Sequence, residues 1–177
     1  MHGRGGQGAQ TAAQILATAF FREGKYAQAF ATYGGARRGT AVSSFIRVDE
    51  RPIRLRCDIE NPDAVICFDA SLLDGKLLQG IGENTILLVN STLPAEAFKE
   101  LGSFNIFTID GKAIASRNGL GRIVNSVLLG ALAGFLNAPG FENLQSVIKD
   151  MSPVKINENL SSCRDGYVLA RKFKGVA

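Results

Sequence analysis

The chain of 177 residues contains no tryptophan, one histidine and three cysteines, and each scarcity removes a class of chemistry. With His2 as the only histidine, a histidine-based zinc site and a Ser-His-Asp triad are both excluded by inventory. Cys57, Cys67 and Cys163 are odd in number and far apart, so they form neither a disulfide framework nor a C-x-x-C metal or cluster motif. They read as small buried apolar residues. The chain thus presents no catalytic set and no metal ligands of its own, and any catalysis must come from a cofactor or another chain.

Long apolar runs are also scarce. The longest, VLLGALAGFL at 127–136, falls short of the ~20 residues that span a bilayer, and no amino-terminal tract resembles a signal peptide. A cytoplasmic protein without membrane contact is expected. Excess charge of one sign is lacking too: 20 Lys and Arg stand against 16 Asp and Glu, a net of +4 with no basic block. That balance suits a few anion contacts better than a nucleic-acid surface. The length and the 46% hydrophobic content suit one core, so residues 1–177 read as a single domain.

What is present begins with glycine. Residues 3–8 read GRGGQG and satisfy G-x-G-x-x-G, which brings backbone N–H groups up to a phosphate at a helix N-terminus. Ala12, Ile15, Leu16, Ala19 and Phe20 follow helical spacing, and Gly24 is placed to end that helix. YAQAFATY (26–33) and AVSSFIRV (41–48) read as strands, and DERP at 49–52 is turn chemistry leading into IRLRC, which predicts a hairpin there. AVICF (64–68) and TILLV (85–89) are continuous apolar runs of the kind buried on both faces of a parallel sheet, with a short helix predicted near SLLDGKLLQ between them. NIFTI (105–109) is the next strand. Residues 122–136 are apolar nearly all round, a pattern that suits the core or a partner's surface. Helices are predicted over 141–150 and 156–173, separated at Pro153. The fold class is an α/β Rossmann-like sandwich: a mostly parallel sheet, an inserted hairpin and C-terminal helices.

Ligands of such folds lie beyond the C-terminal ends of the strands. Asp69, Asn90, Ser91 and Asp110 fall on that rim, and all four are also ordinary capping residues. An NAD site wants an acid ~20 residues beyond the loop to hold the ribose, but between Gly8 and Asp49 the only acid is Glu23, ahead of the second strand. After that strand comes GGARRGT (34–40), two arginines set between glycines, suited to a phosphate or to a subunit interface.

GRGGQGAQTAAQILA, AFATYGGARRGTAVSSFIRV, RIVNSVLLGAL and the DGY of 165–167 together resemble the gamma subunit of the 2-oxoacid:ferredoxin oxidoreductases, the pyruvate synthase group. The resemblance covers essentially the whole chain. It implies an assembly that cleaves a 2-oxoacid on thiamine diphosphate, passes electrons through iron–sulfur clusters to ferredoxin, and transfers the acyl group to coenzyme A. A thiamine diphosphate site of this type carries GDG, and this chain has LDG, IDG and RDG instead. Those cofactors are therefore expected on alpha, beta and delta-type partners, with coenzyme A held here. By motif, Gly5, Gly6, Gln7 and Gly8 are assigned to a diphosphate, and Arg37, Arg38 and Gly39 to a phosphate or a subunit interface. The alternatives are a stand-alone NADP-linked oxidoreductase, with the arginines on the 2′-phosphate, or a purely structural subunit. The family also carries a short apolar strand before the glycines. Only Met1 and His2 precede Gly3, so either the start is late or a partner supplies that position.

Overall fold

A computed structural model describes residues 1–33, 39–75, 77–102 and 104–175. Its six strands are β1 (His2–Arg4), β2 (Tyr26–Tyr33), β3 (Ala41–Asp49), β4 (Ala64–Cys67), β5 (Ile86–Asn90) and β6 (Asn105–Ile109), in spatial order β2-β3-β1-β4-β5-β6. β1, β4, β5 and β6 run parallel, while β3 lies antiparallel to both β1 and β2. The helices are α1 (Ala9–Arg22), α2 (Gly111–Arg117), α3 (Asn125–Leu136), α4 (Phe141–Met151) and α5 (Ile156–Phe173).

Alternation along β4 and β5 divides the core. Ile66 and Leu88 face the side covered by α1, α3, α4 and α5, where Leu16, Leu128, Phe135 and Leu144 are buried. Val65, Cys67, Leu87 and Val89 face the other side and meet Leu77 and Ile81 from irregular segments and Phe98 from a 3-10 helix at Ala95–Leu101. Burial on both faces is why these strands read as unbroken apolar runs.

α3 lies inside its own chain: every residue from Ser126 to Phe135 is buried, which is the core setting that its apolar pattern suits. The close neighbour is α5. A Cβ on Gly130 would collide with the Cys163 carbonyl, and one on Gly166 with the Val127 carbonyl, so the glycines set the helix spacing. The DGY segment at 165–167 serves this packing. Asp165 accepts from Asn118 Nδ2 at 2.8 Å and Arg117 Nη2 at 2.9 Å, tying α5 to α2, and Tyr167 stacks on Phe141 with centroids 4.3 Å apart.

Three expectations are corrected. The hairpin forms between β2 and β3, paired from Tyr26↔Asp49 to Tyr33↔Val42, while IRLRC at 53–57 joins no strand. Its alternating basic residues could not enter a core without partners. SLLDGKLLQ yields one 3-10 turn, Ala70–Leu72, in place of a helix, because the Asp69 side chain turns the chain by accepting from Ser71 N. Cys57 is exposed, whereas Cys67 and Cys163 are buried as expected.

Candidate functional site

β1 ends in the sheet centre and delivers the glycine turn to the C-terminal end of the parallel strands. Gly6 and Gly8 have φ of 96° and 84°, a region in which a side chain is strained. Gly8 caps α1 without a side-chain bond, and the first turn of α1 carries no acid. The Gly6 and Gly8 N–H groups donate to no acceptor among the described residues. Gly5 N donates to the Thr40 carbonyl at 2.9 Å, and Gly39 N to the Gly5 carbonyl at 3.4 Å. The two glycine-containing motifs are therefore neighbours, joined at Gly5 and Gly39. Arg37 and Arg38 lie outside the described residues.

The Gln7 side chain is used inside the turn. Its Oε1 accepts from Arg4 N at 2.7 Å, and its Nε2 donates to Asp69 Oδ2 at 3.2 Å. Arg4, which the motif reading passed over, is the hub. Its Nε donates to Asp69 Oδ2 at 3.1 Å, Nη2 to Ser71 Oγ at 2.9 Å and Nη1 to the Gly39 carbonyl at 3.2 Å. The Ser71 hydroxyl chiefly, then Ser71 N–H, Gln7 and Arg4, hold the Asp69 carboxyl below its ordinary range against the opposing effect of burial. Asp69 is thus more than a cap, and the clue in the sequence was its place directly after an apolar strand.

α3 also begins at this turn. It has neither a side-chain cap nor an acid in its first turn, and a Cβ on Gly8 would lie 3.4 Å from Asn125 Nδ2. Two helix N-termini whose N-cap residues make no side-chain bond converge beside Gly8, each carrying partial positive charge, although Ser126 N of α3 already donates to Asn125 Oδ1 at 2.9 Å. The other rim residues are structural: Asn90 bridges the Phe68 carbonyl and Gly111 N at 3.0 Å each, Asp110 caps α2 through Ala113 N, and Ser91 Oγ accepts from Leu93 N. Among the described residues no cluster of His, Cys, Asp and Glu could hold a metal, and no helix is long and apolar enough to cross a membrane. Backbone N–H groups and two helix N-termini are the chemistry that the described residues present at this turn.

Residues 1–169 match the family described as pyruvate ferredoxin/flavodoxin oxidoreductase. The chain is 44% identical over 171 residues to pyruvate synthase subunit PorC of Methanothermobacter marburgensis, covering 94% of this chain and 93% of that protein. It is 38% identical over 178 residues to the pyruvate/ketoisovalerate oxidoreductases common subunit gamma of Pyrococcus abyssi, covering 98% and 96%. The crystal structure of pyruvate oxidoreductase subunit PORC from Thermotoga maritima superposes with a TM-score of 0.84 at 37% identity, over 94% of this chain and 92% of that one.

Proposed function

Because the chain belongs to the pyruvate ferredoxin/flavodoxin oxidoreductase family, as a gamma-type subunit of a multisubunit 2-oxoacid:ferredoxin oxidoreductase, we propose that its own task is to hold coenzyme A. The observation that carries this reading is the glycine turn, whose Gly6 and Gly8 N–H groups find no acceptor among the described residues and lie where two helices begin. A diphosphate is the group such a turn favours. Gly5 and Gln7 shape the turn, Gly39 closes it from the neighbouring loop, and Arg37 and Arg38 supply charge for a further phosphate. In the same reading thiamine diphosphate and iron–sulfur clusters sit on alpha, beta and delta-type partners, ferredoxin takes the electrons, and the assembly works in the cytoplasm.

Reconstitution tests this division of labour. The purified chain, given thiamine diphosphate, ferredoxin and a 2-oxoacid, shows no turnover. Partner subunits without it decarboxylate the 2-oxoacid but form little acyl-coenzyme A, and adding the chain restores that product. Oxidation of a 2-oxoacid by this chain alone contradicts the proposal.

A further inference from the structure

The sheet ends on β2, which pairs with β3 on one side and leaves its other edge open among the described residues. Proteins blunt such an edge with a short strand, a charge, a proline or a bulge. β2 has none of these. It runs for eight residues, YAQAFATY, without a charged residue or a proline, and its register with β3 proceeds one to one from Tyr26↔Asp49 to Tyr33↔Val42. At the far end of the sheet β6 is five residues long, and its Ile106 N–H is already taken by the Phe104 carbonyl at 3.0 Å.

The ladder shows which groups are open. Ser44 N donates to the Met1 carbonyl and Met1 N to the Ser44 carbonyl, each at 2.8 Å, so the backbone of Ser44 faces β1. Its partner on β2, Ala31, therefore turns its N–H and C=O away from β3, and by alternation Ala27, Ala29 and Tyr33 do the same. Ala29 pairs with Ile46 on the face that α1 covers, so this side of the edge carries the methyl groups of Ala27, Ala29 and Ala31. On the other face Phe30 is half-buried at the edge. It stacks on Phe45 with ring centroids 5.1 Å apart, and the Arg47 guanidinium lies over its ring.

We infer that this edge pairs with the same edge of a second copy of the chain, antiparallel about a two-fold axis at Phe30. Self-complementarity selects that occupant. The open backbone groups lie evenly about Phe30, so one register satisfies them all, with Ala29↔Ala31 and Ala27↔Tyr33 as hydrogen-bonded pairs on both sides of the axis. The strand carries no charge, so a second copy meets no like charge across the ladder. The same register sets Phe30 directly against Phe30 of the second copy in a non-hydrogen-bonded pair, where side chains approach most closely. The Phe45–Phe30 stack then continues across the axis, flanked on either side by Gln28 opposite Thr32.

Sedimentation equilibrium of the full chain, between about 1 and 100 µM, is the test, and its readout does not depend on coenzyme A. The wild-type chain is expected to form a dimer in that range. Ala29→Pro removes an N–H that faces outward, so its own β2–β3 ladder and its circular dichroism should be kept while the dissociation constant rises about tenfold or more. The register is checked by mixing a Gln28→Cys chain with a Thr32→Cys chain, both carrying Cys57→Ser to remove the exposed native thiol. Directly opposed residues of a non-hydrogen-bonded pair lie within disulfide reach, so mild oxidation should cross-link the mixture and neither chain alone. A monomeric wild type overturns the inference and gives the edge to a strand of a partner subunit. A dimer that Ala29→Pro leaves unchanged, or a mixture that does not cross-link, overturns it too.

Discussion

The Arg4 guanidinium and the Asp69 carboxylate meet at 3.1 Å across 65 positions of sequence, where the ends of two adjacent parallel strands lie side by side. Because Asp69 Oδ2 also takes the Gln7 amide and Arg4 Nη1 also holds the Gly39 carbonyl, this pair joins the glycine turn, the β4 loop and the arginine-bearing loop. Its charge is internally balanced, so an anion at the turn is met by backbone N–H groups.

Asp69→Ala is therefore expected to loosen the turn more than the fold. The side chains are 39% and 27% exposed, which limits the ion pair itself to a fraction of its Coulomb value. With the Gln7 and Ser71 bonds included, the loss is about 1–2 kcal/mol at pH 7. The Asp69 carboxyl is held below the ordinary 3.8, so its contribution is present above that pH and is lost as the pH falls through the lower folded value. Denaturation midpoints of wild type and variant should differ at pH 7 and converge in strong acid. Amide exchange at 5–8 should accelerate in the variant, and an unchanged rate there removes the clamp role.

Gly130→Ala and Gly166→Ala test the α3–α5 crossing. Each places a methyl against a carbonyl of the facing helix, which only movement of the backbone relieves. Destabilisation of at least about 3 kcal/mol is expected, at the upper end of overpacking costs. Gly75→Ala, where an added Cβ meets nothing within 4 Å, is the control and should change the urea midpoint little.

Much of this fold was legible from periodicity. β4 and β5 declare themselves because strands covered on both faces read as near-continuous apolar runs, and α1 because one apolar stripe meets the sheet. The failures share a cause. IRLRC and SLLDGKLLQ have the right local composition for a strand and a helix, yet IRLRC finds no strand to pair with and SLLDGKLLQ packs Leu77 on the sheet without an α-helix among its described residues, and tertiary context decides such segments. At the site, the strained glycine positions follow from the motif alone. The Arg4–Asp69 pair does not, because it depends on β1 and β4 being neighbours, a fact of topology. The place of Gln7 in the motif points to a ligand, while its side chain is turned onto Arg4 and Asp69.

His2 supplies a pH dependence of known sign. Burial first, then the neighbouring Met1 amine, push the imidazole down to about 4 from 6.5, with Asp74 opposing. The unfolded chain then binds a proton that the folded one refuses. Stability is full above pH 6.5 and declines as the pH falls towards 4, by at most about 3 kcal/mol. In His2→Gln the slope of stability between those pH values should flatten. Equal slopes for both proteins place the titration elsewhere.

The most direct test of coenzyme A binding is the KM for coenzyme A, measured beside coenzyme A-independent decarboxylation in the reconstituted complex carrying Arg37→Ala, Arg38→Ala or Gly6→Ala. Loss of one charge-assisted phosphate contact costs about 1.5–3 kcal/mol, so KM should rise about tenfold or more in the arginine variants. Decarboxylation, which precedes acyl transfer, should be spared. Lysine at either arginine position should rescue only in part, since a point charge does not reproduce a bidentate fork. Gly6→Ala, forcing a side chain into the left-handed region, should raise KM without disturbing assembly seen by size exclusion. An unchanged KM in an intact complex, or an equal fall of both half reactions with loss of assembly, contradicts the assignment of coenzyme A to this chain.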